Sequence, residues 1–473
     1  MVELIKKFGA FSIGPIVGAA LGIIIVPIIT YFISPEEYGR SSMFVLAQGA
    51  ISMLVYLGMD QAFVREFSLF RNAKDKLMSN AILIPFISVC LLSVVILFNQ
   101  NAVSVILFDT PNEHTAIISL AVMLPFMVLE NFTLLNIRME EKGVKYSFFT
   151  IMLKCLNLIF TLALFLLYEK SFRSVVFAIA LSEIANGILL YFVSFRQIKI
   201  RIDYVDKELI LRMLKFGLPL IPASMLVWAL ASMDKIMLRA LCSYSELGLY
   251  SAAFKIVNAL GIIQTCFTLF WTPVSYRWYE AGKEKSAFES VSKLVTFVMT
   301  VMCMGILLLK NLVAFVLGDA FAEAMYIFPF LLLQPIMYTI SESTAMGIGF
   351  SRRTSYNILV SGISGGVNIA LNYFLIPVLE ARGAALATGI SYFVFFWART
   401  LISRKLWLKF KVYPYILYSI IIILNCFAHT FVIGNLPYII TIISVIIILV
   451  ANREGIETII NYAKFDFRKN VDL

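Results

Sequence analysis

The residues able to do chemistry in this 473-residue chain are few, and they sit where charge is costly. Asp60, Arg65, Glu130, Lys154, Glu183, Lys255 and Glu342 fall inside long apolar runs, and Asp234 and Lys235 interrupt another. An ionised side chain at the centre of a membrane helix costs roughly 2.5–3.5 kcal/mol on insertion scales, so such residues turn toward protein or a wet cavity. A lysine or arginine there can hold an anion, and a carboxyl can take up a proton or pair with a cation. None is spaced for bond-making. No GxxxxGK[ST] phosphate loop is present, so no ATPase is expected in this chain. His114 and His429 are far apart, the six cysteines are scattered without a CxxC, and no nucleophile stands beside a base in a recognisable motif. No metal, cofactor, disulfide or catalytic residue is assigned.

Depth separates the candidates, and each carries two readings. Glu183 is the deepest. Lys154, on the preceding span, differs from it in depth by about 6 Å at 1.5 Å per residue. The two form an ion pair, or both line a cavity. Arg65 lies near a span end and can snorkel out, with Asp60 one turn deeper as its partner, or both face the cavity. Lys255 matches Asp234 in depth, which makes either a salt bridge or a cationic wall. Glu342 stands beside Ser341, Ser343 and Thr344. It is either a buried carboxyl hydrogen-bonded by those hydroxyls or a protonation site.

The elements that must position these groups follow from composition. The chain is 60% hydrophobic and 14% charged, with mean hydropathy +0.89, whereas soluble domains carry about 25% charged residues. The apolar runs are near the ~20 residues needed to cross a bilayer. They give fourteen spans, from 8–33 to 436–452. Lys6 and Lys7 precede the first run, which is too long for a signal peptide and is expected to stay as a helix. The net charge of +10 does not point to nucleic acid. Lysine and arginine concentrate in alternate connections, while the others hold only Arg40, Lys170, Arg173, Lys235, Arg239, Lys310 and Arg382. By the positive-inside rule both termini are cytoplasmic.

Spans 1–6 and 7–12 echo each other. Lys7-Phe8-Gly9 precedes Lys215-Phe216-Gly217, and Glu37-Tyr38-Gly39 precedes Glu246-Leu247-Gly248, at nearly the same offset. A duplicated unit with an even number of spans gives two lobes in one orientation. The expected divisions are an N-lobe 1–195, a cytoplasmic linker 196–211, a C-lobe 212–402, and two further helices with a tail over 403–473. Pro219 and Pro222 predict a broken or bent seventh span, and Pro15 and Pro27 bends in the first. The expected fold class is all-α and polytopic.

The stretch Gly217-Leu218-Pro219-Leu220-Ile221-Pro222, then Trp228, Ser232-Met233-Asp234-Lys235 and Glu246-Leu247-Gly248-Leu249-Tyr250-Ser251-Ala252, resembles helices seven and eight of Wzx-type oligosaccharide flippases. Trp271 and Pro273 continue the pattern, and Gly14-Pro15 through Ser34-Pro35-Glu36-Glu37-Tyr38-Gly39 is similar to their opening. The resemblance implies two six-helix lobes around a central cleft in a bacterial cytoplasmic membrane. Its cargo would be a polyprenyl-diphosphate-linked oligosaccharide, moved to the outer leaflet by alternating access among membrane lipids. A polysaccharide polymerase and a chain-length regulator are the implied partners. In that setting Lys154, Lys255 and Arg65 are the candidate cationic wall. Trp228 either stacks on a sugar or packs in the core. Asp60, Glu183, Glu342 and Asp234 are candidates for ion coupling or pairing. The rivals are a multidrug cation antiporter of the same superfamily, a lipid II flippase and, more distantly, a membrane polysaccharide polymerase.

Overall fold

Within hydrocarbon an apolar run of about 20 residues can satisfy its own backbone only as a helix. The computed structural model is built of helices; it describes residues 2–70, 72–195 and 201–452, with no strand among them. The expected C-terminal tail, and residues 196–200 of the expected linker, lie outside the described residues. Ten helices are long and apolar enough to span a membrane, and a pair bent by 55° makes an eleventh. Ile16–Phe32 and Leu436–Val450 are shorter apolar helices. One 52-residue helix, Ser355–Leu406, is two helices joined at Glu380 (φ 53°, ψ −131°). Divided there, the described apolar segments reach the expected fourteen. This is a multi-pass, all-α membrane protein.

The chain packs as two compact units, residues 1–259 and 260–473. This division follows packing, whereas the sequence-based lobes follow the repeat. The first unit contains α1 (Val2–Phe32), α2 (Pro35–Val55), α3 (Met59–Glu66), α4 (Lys74–Phe98), α5 (Gln100–Phe108), α6 (His114–Met139), α7 (Gly143–Leu167) and α8 (Phe172–Phe195). It continues through α9 (Lys207–Gly217), α10 (Ile221–Leu241) and the first part of α11 (Tyr244–Glu280). Helices α6 and α7 both pack on α8, α4 packs on α6, and α1 on α7.

Glycines set how closely α2 and its continuation meet α9 and α11. A Cβ on Gly39 would lie 2.0 Å from the Tyr244 carbonyl oxygen, and one on Gly248 1.8 Å from that of Pro35. At the other end of α2, a Cβ on Gly58 would lie 2.4 Å from the Gly217 oxygen. Backbone meets backbone at both places, which only glycine permits. The 55° bend separates α2 from α3 and needs no proline. Leu57 and Gly58 supply it with φ of 51° and 68°. Around Pro219 and Pro222 the axis is interrupted only by a 3-10 turn, Leu218–Leu220. Both prolines occupy first-turn positions, where the missing N–H costs no internal bond. Helix α1 is continuous through positions 15 and 27.

The second unit contains the rest of α11, then α12 (Lys285–Leu308), α13 (Lys310–Leu317), α14 (Ala324–Leu331), α15 (Leu333–Thr344), α16 (Met346–Phe350), α17 (Ser355–Leu406), α18 (Tyr413–Phe431) and α19 (Leu436–Ala451). Trp271, Phe288 and Phe350 are buried together, with Trp278 and Trp407 against them. Helix α18 packs on α12 and α14. Tyr415 Oη donates to Ser292 Oγ at 2.8 Å, and Lys310 Nζ donates to the His429 carbonyl at 2.9 Å. A buried polar seam joins α18 to α19: Asn425 Nδ2 donates to Ser444 Oγ, and His429 Nε2 meets Thr441 Oγ1, each at 2.8 Å.

Candidate functional site: a lysine-lined cavity

Two glycines one helical turn apart decide where space opens in the first unit. Gly18 and Gly22 of α1 leave room: the nearest atom to a Cβ on Gly18 is Lys154 Cγ at 4.0 Å, and nothing lies within 4 Å of one on Gly22. The space they leave is a cavity of about 440 Å³ bounded by α1, α2, α7, α8, α10 and α11. That is within the ordinary range for a small-molecule site. Its charged lining residues are Lys154, Glu183, Lys235 and Lys255, and Gln48, Asn157 and Asn258 add amides.

The lysines dominate the cavity's charge. Lys154 and Lys255 are exposed into it, and Lys235 is half-buried. Among the described residues, Lys154 makes no ion pair with Glu183. Glu183 instead accepts from Gln48 Nε2 at 3.1 Å. Glu130 and Asn186 are buried beside it. Asp234 accepts from Tyr250 Oη at 2.6 Å.

The remaining sequence candidates lie elsewhere. Arg65 places its guanidinium 4.5 Å from the Phe216 ring centroid, and Asp60 accepts from Gln61 at 3.2 Å, so the two make no pair. Neither lines the cavity. Trp228 Nε1 lies 3.0 Å from where Gly49 would carry a Cβ, so the indole packs on α2 rather than lining the cavity. Glu342, in the second unit, is bound by Arg399 Nη1 at 2.7 Å, and the same nitrogen donates to Ser341 Oγ at 2.8 Å. The partner of Glu342 is thus the guanidinium of Arg399, a residue not singled out from the sequence. Lys235 is visible in the sequence as a charge directly after Asp234 inside an apolar run, although no role is assigned to it there.

Three ammonium groups and one carboxyl around a single cavity give it an excess of positive charge suited to an anion. A family model described as polysaccharide biosynthesis protein matches residues 4–278, which include every residue lining the cavity. Among solved structures, a lipid II flippase MurJ in an inward closed conformation aligns with TM-score 0.68 at 16% identity, covering 94% of this chain and 99% of that one. A multidrug resistance MATE family transporter of the MOP superfamily aligns in its inward-facing conformation with TM-score 0.60 at 17% identity, covering 82% and 93%. An outward-facing MATE conformation gives 0.56 at 16%, covering 85% and 95%. At these identities the likeness is one of fold. Sequence comparison with curated proteins returns no match.

Proposed function

The chain belongs to the polysaccharide biosynthesis protein family, and from that premise we propose that it is a flippase for polyprenyl-diphosphate-linked oligosaccharides in a bacterial cytoplasmic membrane. The observation that carries this reading is the cavity with three lysines and one lining carboxylate, Glu183, enclosed by membrane-spanning helices. Those lysines offer an anionic head group a cationic, hydrated space that hydrocarbon denies it. The lipid tail stays in the bilayer. The two lobes, 1–195 and 212–402, rock to expose the head group to each leaflet in turn, with both termini cytoplasmic. An ion gradient resets the cycle through Asp60, Glu183 or Glu342. A polymerase and a chain-length regulator receive the product.

A cation antiporter of the same fold is favoured less, because its cargo would meet three lysines. A lipid II flippase has the same charge logic, and essentiality of the gene separates it from the first reading. The deciding experiment uses a deletion strain. Lipid carriers are extracted, and the mass and leaflet accessibility of any accumulated repeat unit are determined. Complete diphosphate-linked units facing the cytoplasm, cured by the wild-type gene, are expected. Units that reach the outer leaflet unpolymerised point to a polymerase. No accumulation, with altered sensitivity to organic cations, points to the antiporter. In the same strain, Lys154→Ala or Lys255→Ala abolishes complementation at normal protein levels, and arginine at either position is milder. Full activity of both alanine variants refutes the cationic-cavity mechanism.

A further inference from the structure

Helix α5 is nine residues long, too short to cross a membrane, and the transport cycle above gives it no part. It packs on α6 and on α2. The turn after it is firmly built. Asp109 ends the helix in a left-handed conformation, φ 58°. Glu113, which is buried, is bound by Arg173 of α8 through both oxygens at 2.7 and 2.9 Å, and its backbone N–H donates to Ser104 Oγ of α5 at 3.1 Å. One side of the element is thus tied to α6 and α8. Its other side grips the hairpin of α10 and α11. Tyr244, at the start of α11, is buried and donates its hydroxyl to the Leu107 carbonyl at 2.7 Å. Arg239, in the last turn of α10, pairs with Asp109. Two guanidiniums attend the Tyr244 ring, Arg239 at 4.5 Å from its centroid and Arg40 of α2 at 5.5 Å. The backbone of the same tyrosine presents its carbonyl to Gly39 of α2. The cavity begins beside these contacts, lined by Tyr38 and Ser42 of α2 and Ser251 of α11.

We propose that α5 and its turn are a latch across this end of the cavity, fastened by the Tyr244–Leu107 hydrogen bond and the Asp109–Arg239 ion pair. Release of these two contacts lets α10 and α11 part from α2 and admits water to the cavity from this side. The latch rests on the alternating-access cycle proposed above, and the positive-inside pattern makes this the outer side. Its two fastenings suit release. A single net hydrogen bond, or an ion pair open to solvent, biases an equilibrium by about two- to tenfold, enough to favour closure without making it permanent. The Glu113–Arg173 pair, whose carboxylate is buried, keeps the strap on α6 and α8 when the far side lets go.

The test uses Ser42→Cys as a thiol on the cavity wall and a membrane-impermeant maleimide applied to intact cells expressing the full-length protein. Each latch variant is measured with and without this reporter, so that labelling of the six native cysteines is subtracted. Tyr244→Phe removes only the hydroxyl, and Asp109→Asn only the charge. Each is expected to raise the labelling rate of the reporter by about three- to fivefold, in proportion to the open population. Asp109→Arg raises it at least as much, and the exchanged pair Asp109→Arg/Arg239→Asp brings it back toward the wild-type rate, a rescue that a merely loosened fold does not give. The exchanged pair also supplies the answer where Asp109→Asn yields too little protein. Glu323→Gln removes a comparable exposed pair, Arg382–Glu323 of the second unit, and leaves the rate unchanged. Unchanged labelling in both Tyr244→Phe and Asp109→Asn overturns the latch, as does an equal rise in Glu323→Gln. The labelling needs no cargo, so the flippase reading fails separately, when the deletion strain accumulates no lipid-linked units.

Discussion

At the scale of single residues, two kinds of position carry sharp expectations. Gly39 and Gly248 each lie where a Cβ would meet a carbonyl oxygen at 2.0 Å or less. Gly39→Ala or Gly248→Ala therefore pushes α2 off α11 and destabilises by about 2 kcal/mol or more. Gly22→Ala, with open space around its Cβ, leaves the thermal midpoint in detergent within a degree or two of wild type and only narrows the cavity. The second kind is the buried Arg399–Glu342 pair, whose side chains are 13% and 8% exposed. Removing one partner leaves an uncompensated charge and costs roughly 3 kcal/mol, while replacing both can be near neutral. The double variant Arg399→Met/Glu342→Leu is thus expected to unfold at a higher temperature than Arg399→Met alone. If the double variant is also fully active in complementation, Glu342 is not the coupling site. The charges themselves were legible in the sequence, because ionisable residues stand out in apolar runs. Their partners were not: helix depth can be counted along a chain, but the rotation that turns Glu183 toward Gln48, or Asp234 toward Tyr250, depends on neighbours distant in sequence.

At the scale of elements, helix ends and bends are set by local backbone chemistry that is only partly visible in residue types. Asp206 caps α9 by accepting from the backbone of Glu208 and Leu209, and its carboxylate pairs with Lys76 of α4 at 2.7 Å. The Lys76 ammonium and the cap hydrogen bonds hold this carboxyl below the usual aspartate range. A lowered folded-state value means that the stabilisation is present above the unfolded pKa of about 3.9 and is lost as pH falls through the lower, folded value. Thermal midpoints of wild type and Asp206→Asn should therefore differ at pH 7 and converge toward pH 3; a constant gap would show that the charge of Asp206 does not matter. The bend between α2 and α3 is the counter-case. Prolines drew attention to span seven, where they sit harmlessly in first turns, while the 55° bend arose at Leu57 and Gly58. A lone glycine after an ordinary leucine in an apolar stretch gives no warning of a left-handed pair. Gly58→Ala, strained at φ 68° and facing the Gly217 oxygen, should reduce folded yield more than Pro219→Ala.

At the scale of the whole molecule, the number of spans was the most legible feature, because hydrocarbon thickness fixes the length of every apolar run. The packing units were the least legible, since the boundary at residue 259 falls inside α11, where nothing in composition changes. The last two helices illustrate the difference. By sequence they follow the repeat as an addition; by packing, α18 is part of the second unit. It supplies Tyr415 to Ser292 and the His429 carbonyl to Lys310, whose side chain is otherwise buried at 3% exposure. Truncation after Lys411 is therefore expected to leave no monodisperse protein on size-exclusion chromatography, rather than a stable twelve-span transporter. The two halves of α17 bear on movement. They meet at Glu380 without a connecting loop, and a Cβ on Gly383 would lie 2.4 Å from the Leu375 oxygen, so the chain doubles back within a few residues. A joint that short has no slack. Neither half can slide along the membrane normal without dragging the other, and the pair behaves mechanically as one rigid stave, a poor place for an inserted epitope and a direct conductor of any push applied at either of its free ends.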